Sequence, residues 1–550
     1  MKYALLLAAA TANPLFYPPA LSSSPNHNSI LNDEVKTSTQ HSIEVPISYS
    51  EPSPNFNLRY HVDSSCWDGS PEAPIFVSMG GEGPANSASC SSDAKDNSAI
   101  CVQVEHRFYG ESLPGRGDGG ASTLNYRAGL SVEANAMDTE AVIAAVQNMF
   151  PVQNNNSRPV MNFGGSYSGG TCTWFRLKYP KSSDGCVSSS GVVNAVYNYK
   201  DFDTVIKTAV GSTCSKKIND IILSIDSYFS FGQGNSIKQL FNATNLVSTK
   251  MGDADFMYMV ADGIAMIDQY GEKKELCDGL NKVPDSASDY DKIENLNTIF
   301  NNHYGAEFTQ GCFYDSECLK NAATADLSSR SWRWQKCSQV SFFQTAPSQV
   351  GSMRSQLLTL DALSEQCSYI FGSCDSCTGG NEEFNSIYGG AHPENVGLTN
   401  TFSMSFSDDP WRKATVQSSS GPTTDYCYTE CDGCGHCGAG VTAEEGAHCY
   451  GKASNFIEGV LSESRFAGSW IESNGGGEEY EIEVTVGTNL VKVVGNFGEV
   501  AASVFQASID FAGLGGELMS GKFMNCEQVI VFDNGLTWEK VISVLSSRSS

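Results

Sequence analysis

Long apolar runs are missing from this 550-residue chain, and so are runs of basic residues. Beyond residue 12 no stretch approaches the roughly 20 apolar residues that a membrane-spanning helix needs, so no helical span is expected. Positive charge is scarce: 34 Lys and Arg stand against 62 Asp and Glu, a formal charge of -28 at pH 7. A surface of that sign repels nucleic acid and anionic membranes, and neither is expected as a partner. Charged residues of both signs make up only 17% of the chain while hydrophobic ones reach 40%. That balance excludes a disordered protein and suits a globular one with a large core and more than one domain.

Cysteine, by contrast, is plentiful. Its 19 copies are expected to form disulfides in an oxidising compartment, and the odd count leaves at least one thiol over. The first 12 residues fit an export signal: Lys2 gives a positive start, Leu5 to Ala10 an apolar stretch, and Ala10-Thr-Ala12 a cleavage site. Residues 13–40, rich in Ser, Asn and Pro, are expected to be a flexible leader or propeptide. Sequons at Asn155 and Asn242 fit a secreted or lysosomal/vacuolar glycoprotein.

The most informative segment is Val160-Met-Asn-Phe-Gly-Gly-Ser-Tyr-Ser-Gly169, followed by Trp174-Phe-Arg-Leu-Lys-Tyr-Pro180. An apolar run, a glycine-framed serine and a helix that stops at proline describe a strand-to-helix turn. Such a turn lifts a nucleophilic hydroxyl above the sheet edge in α/β-hydrolases. Ser166 is then the nucleophile, and the Tyr167 amide at the helix start is the first oxyanion donor. Gly80-Gly-Glu-Gly-Pro84, closing the earlier strand candidate Ile75–Met79, sits where a second donor belongs, from Gly80 or Gly81, with Glu82 near the elbow as a candidate contact to a substrate terminus. The plain alternative is a glycine-rich turn with a spectator serine.

Strand candidates at residues 75–79, 99–104 and 159–163 alternate with a helical pattern over Leu130–Met149, which implies a parallel sheet with helices on its faces. The fold expected is an α/β-hydrolase core in two parts, residues 41–200 and 346–465. A helical cap is expected over 201–345, where strand signals fade. Period-two alternation in Tyr480–Val486 and Leu490–Val494 predicts a small all-β appendage over residues 466–550.

Several blocks in order make the reading narrower: Val104-Glu-His-Arg-Phe-Tyr-Gly-Glu-Ser-Leu-Pro114, the Ser166 elbow, Trp334-Gln-Lys-Cys-Ser-Gln339 with Phe342-Phe-Gln-Thr345, Asp409-Pro-Trp411, and Glu445-Gly-Ala-His-Cys449. Together they resemble the serine peptidase family of lysosomal Pro-Xaa carboxypeptidase, dipeptidyl-peptidase II and thymus-specific serine protease, the last branch most of all. The resemblance implies a triad of Ser166, Asp409 and His448. It also implies exopeptidase cleavage of peptides or proteins near proline or small residues at a chain end, no cofactor, and a state that allows a dimer. An esterase or lipase of the same fold, or an inactive relative acting as a binding protein, are the alternatives. On this reading His106 is structural, His436 is a ligand or without a role, and Asp408 faces water. Activity in an acidic vesicle would require the histidine's pKa to be held down.

Three features depart from the family pattern. Ser168 stands where a strict G-x-S-x-G has glycine, and Ser405-Phe406 precede the acid where relatives carry Asn-Gly. The segment Cys427-Tyr-Thr-Glu-Cys431-Asp-Gly-Cys434-Gly-His-Cys437 has a metal-like spacing. In an exported chain it is expected to be a disulfide-stapled loop, with no metal.

Overall fold

A computed structural model of the chain describes residues 38–466 except 72, 116–119, 153–156, 306–307, 323–327, 348–350 and 420, and then the strands between Gly468 and Lys540. The expected signal, nearly all of the leader, and Asn155 lie outside the described residues. Asn242 is exposed, in the turn after a helix.

The central sheet is built from β1 (Ser38–Pro46), β2 (Asn55–Asp63), β3 (Ile75–Ser78), β4 (Ile100–Val104), β5 (Val160–Gly165) and β6 (Gly185–Ser189). A short pair, β7 (Val196–Asn198) and β8 (Ser341–Phe343), forms its own two-stranded sheet, and β9 (Thr401–Phe406) and β10 (Thr424–Thr429) complete the large one. Its eight strands run in the order β1-β2-β4-β3-β5-β6-β9-β10. Only β2 opposes the rest: it is antiparallel to β1 and β4, and the others pair in parallel. The central strands are short and buried on both faces, as in β6, where all five residues are buried. This is the α/β-hydrolase core expected from the sequence.

Helices α1 (Ser92–Asp96), α2 (Thr123–Gly129), α3 (Val132–Met149) and α4 (Ser166–Lys178) connect the first strands. Local chemistry sets their starts: Ser131 accepts the Ala134 amide to cap α3. Between β6 and β9 lies a helical insertion: α5 (Asp201–Ser230), α6 (Gly234–Leu240), α7 (Gly252–Gln269), α8 (Lys273–Leu280), α9 (Asp289–Tyr304), α10 (Ser316–Asn321), α11 (Ser328–Gln335), α12 (Leu360–Phe371) and α13 (Gly380–Tyr388). The sheet resumes at Thr401 rather than near residue 346, because α12 and α13 occupy the interval. Buried Phe, Ile and Met side chains of the insertion share one apolar cluster with Tyr167, Trp174 and Trp411 beside the elbow.

After β10 comes α14 (Ala443–Phe466), and then the strands β11–β18 between Gly468 and Lys540. They pair antiparallel in chain order and close into a barrel through Trp470 opposite Lys540. The expected all-β appendage is thus a closed barrel, which leaves no free sheet edge.

Eight disulfides join sixteen of the cysteines. Among the described residues Cys66 and Cys437 are free. The spaced cluster is stapled as Cys427–Cys449 and Cys431–Cys434, which leaves only Cys437 of its thiols unpaired.

Candidate active site

The sharp turn from β5 into α4 puts Ser166 at φ 56°, a left-handed conformation that a non-glycine residue rarely adopts. The turn is tight because a Cβ on Gly164 would overlap the Ser168 carbonyl. Ser168 itself keeps the turn together: its Oγ donates to the Gly165 carbonyl at 2.7 Å and accepts the Gly165 amide at 3.1 Å. The departure from G-x-S-x-G therefore supplies two hydrogen bonds instead of disrupting the elbow. Arg176, buried near the end of α4, donates to the carbonyls of Thr399, Pro180 and Ser183. It ties α4 to the segment entering β9, which gives the basic residue of that motif a structural reason.

The Glu105–Gly110 block forms the scaffold behind the elbow. His106 Nδ1 donates to the Arg107 carbonyl at 2.7 Å, so its Nε2 accepts the Tyr167 hydroxyl at 3.2 Å. Gln335 in turn donates to the Tyr167 oxygen and accepts from Tyr109. Burial pulls the His106 pKa down to about 3, so the ring is neutral and structural, as expected. Glu105 is fully buried and accepts from Arg59, the Ala85 amide and Ser112. It thereby fixes the far end of the Gly80–Pro84 loop. Met79 N donates to the Phe163 carbonyl at 2.8 Å, which sets Gly80, Gly81 and Glu82 beside the end of β5. A Cβ on Gly80 would come within 2.5 Å of the His106 amide nitrogen, so only glycine lets the loop approach this closely. Glu82 is buried, and after burial itself its charge is the largest cause pushing the Tyr167 hydroxyl upward.

Asp409 is fully buried just past β9. One of its oxygens, Oδ1, accepts the Trp411 amide at 2.8 Å and His436 Nδ1 at 2.8 Å. The histidine paired with the acid is therefore His436, not His448. His448 is exposed on α14, one residue before the Cys427–Cys449 staple. His436 follows β10 in a loop shaped by left-handed Gly433, Gly435 and Gly438. A Cβ on Gly435 would reach within 2.5 Å of the Gln269 carbonyl, so the loop lies tightly against the end of α7.

Ser166 and His436 are tied to the same short segment at the end of β6. The Val192 amide donates to the Ser166 carbonyl at 3.2 Å, and the Cys437 amide donates to Ser190 Oγ at 3.0 Å. His436 Nε2 is buried and has no hydrogen-bond partner among the described residues. Burial acts against a charged imidazole, yet the charge and hydrogen bond of Asp409, with the adjoining Cys437, outweigh it. The His436 pKa stands well above the ordinary value. The direction is opposite to the lowered pKa that acidic-vesicle activity would call for.

Phe406 is buried under the loop, where a Cβ on Gly438 would meet its ring at 2.8 Å, so the residue supports the histidine loop from below. Asp408 does not face water. Its Oδ2 accepts Lys273 Nζ at 2.6 Å and the Gly433 amide at 2.6 Å, so it bridges α8 and the histidine loop.

Asp268, at the end of α7, is buried and neither of its oxygens has a hydrogen-bond partner among the described residues. Burial first, then the charges of Asp408 and Asp409, raise its pKa well above the carboxylate range, against the pull of Lys273. A raised native pKa means that the folded state holds the proton more tightly than the unfolded chain. The contribution is complete below the unfolded value, about 3.9, and is lost as pH rises through the folded one. Asp268→Asn removes that loss: thermal melts should show the variant gaining on the wild type from pH 4 to pH 8. A constant difference over that range would contradict the assignment.

His436 falls outside the triad expected from sequence because the Ala447-His-Cys resemblance lies at the later of two His-Cys pairs. The available signal was the glycine spacing around Gly435-His-Cys437, a loop rather than a helix pattern.

A left-handed serine on the elbow of this sheet, with a buried carboxylate–imidazole pair held at the same edge, defines a serine hydrolase of the α/β-hydrolase fold. The Serine carboxypeptidase S28 family matches residues 50–438, and the chain belongs to it. It is a serine-type peptidase. The match contains Ser166, Asp409 and His436 and ends before His448. The chain is similar to the probable serine protease EDA2 of Arabidopsis thaliana, 30% identical over 67% of this chain and 73% of that protein. It is similar to the thymus-specific serine protease of Homo sapiens at 24% identity, covering 66% and 74%. The lysosomal Pro-X carboxypeptidase of Homo sapiens is 27% identical over 52% of this chain and 60% of its own length. Among the described residues, no helix is long and apolar enough to cross a membrane.

Proposed function

We propose that the protein is an exported serine exopeptidase that cleaves near proline or small residues at a chain end, using Ser166, His436 and Asp409. The observation that carries this reading is the 2.8 Å contact between His436 Nδ1 and Asp409 Oδ1, which leaves Nε2 free to serve the nucleophile. In the reaction, Ser166 Oγ attacks the scissile carbonyl while His436 Nε2 takes its proton. The developing oxyanion is held by the Tyr167 amide and by Gly80 or Gly81. The imidazolium, stabilised by Asp409, then protonates the leaving amine, and water repeats the sequence to release the acyl group.

The family description points to release of a C-terminal residue. Glu82 favours a second reading, release from the amino end, because a buried carboxylate beside the elbow suits a substrate ammonium group. Incubating the mature protein with a mixed peptide library and sequencing both product ends tests the whole proposal. Trimming at one terminus, enriched for proline or small residues at the cut, is the expected result. Internal cleavage, or hydrolysis of esters without any peptide bond broken, would overturn it.

A further inference from the structure

Glu272, Glu275 and His303 form a second cluster, away from the elbow, across the α8–α9 hairpin of the helical insertion. Glu272 caps α8 and Glu275 lies in its first turn, while His303 comes from the last turn of α9. One donor atom from each lies within 4.8 Å of the others.

The chemistry of the cluster is uneven. Both carboxylates are about half exposed, at 48% and 55% of their side-chain surface. The imidazole is not: His303 is only 8% exposed and packs edge-on against Tyr304. Its Nε2 lies 3.3 Å from a Glu272 oxygen, yet it makes no hydrogen bond. Its Nδ1 lies 3.8 Å from a Glu275 oxygen. A buried ring nitrogen that lies 3.3 Å from a carboxylate without hydrogen-bonding to it is costly unless something takes up its lone pair or proton.

We propose that Glu272, Glu275 and His303 bind a zinc-class divalent cation. One imidazole and two carboxylates are a donor set for zinc, with bonds of about 2.0–2.2 Å, whereas calcium and magnesium prefer oxygen alone. Neighbouring ligands on such a tetrahedron stand about 3.4 Å apart, close to the Nε2–Glu272 distance. The exposed side of the site leaves room for water as a fourth ligand. The net charge of -28 favours cation uptake in general. The site also has a route to the reaction centre. Glu272 directly precedes Lys273, whose Nζ bridges Asp408 and Asp432, each at 2.6 Å. Asp408 adjoins the triad acid, and Asp432 lies in the histidine loop.

The test is calorimetric titration of zinc chloride into the tag-free mature protein, with calcium chloride as a parallel arm. Wild type should take up one zinc above the background, with calcium at least tenfold weaker, and its melting temperature should rise. Glu275→Gln, an exposed change that leaves the fold intact, should weaken zinc binding at least tenfold, and His303→Gln should do the same. The exposed pair Glu382→Gln with Glu383→Gln on α13 carries the same type of charge loss and should leave binding unchanged. Equal loss in that control, unaltered binding in Glu275→Gln, or no saturable zinc uptake would overturn the proposal.

Discussion

Peptide hydrolysis should fall about 10⁴-fold or more in kcat/KM on His436→Ala, the scale seen when a triad base is removed. His448→Ala should stay within about twofold of wild type, as exposed substitutions do. The contrast follows from placement. His436 is buried, bonded to Asp409 through Nδ1, and locked by the Cys437 amide on Ser190. His448 is exposed on a helix. Steady-state kinetics on one peptide substrate for the two variants decides the matter. A loss in His448→Ala with His436→Ala active would reverse the assignment.

Asp409→Asn should lower kcat by about 10⁴-fold, because the amide cannot hold the imidazole in the required tautomer or stabilise its charged form. It should also move the pH profile in a fixed direction. A general base works only when neutral, so the rate of the wild type rises as pH passes up through the raised pKa of His436. Its acid limb should therefore lie above about 6.5, the value for an ordinary histidine. Removing the carboxylate charge leaves burial as the dominant influence, and burial lowers the pKa. The acid limb of the residual activity should shift downward. A pH–rate profile of kcat/KM checks both points, and an unchanged limb would show that Asp409 does not control the base.

Much of this arrangement is legible in the sequence. The glycine-framed Ser166 between an apolar run and a helix is a local pattern, and the structure realises it as a left-handed residue between β5 and α4. Asp409 before Pro-Trp is local in the same sense, since the Trp411 amide that orients it lies two residues on. The proposed base, His436, is different. It depends on β10, whose polar Thr424-Asp-Tyr-Cys-Tyr-Thr429 gives a weak strand signal, and on a cysteine loop whose pairing no spacing discloses. Without β10 the loop at the sheet edge has no anchor, and a histidine on α14 looks equally placed. Asp408 departs from its expected water-facing position for a related reason: its partners, Lys273 and Gly433, come from distant parts of the chain. Ser168 and Phe406 broke a family pattern in sequence, but one supplies two hydrogen bonds to the elbow and the other packs under Gly438.

The central claim is that Ser166 is activated by His436 held on Asp409, and covalent capture addresses it most directly. A fluorophosphonate probe should label wild type at Ser166, identified by mass spectrometry of the modified peptide. His448→Ala should label at a similar rate, and Ser166→Ala and His436→Ala should not label. Full labelling of His436→Ala, or labelling of a residue other than Ser166, would contradict the account.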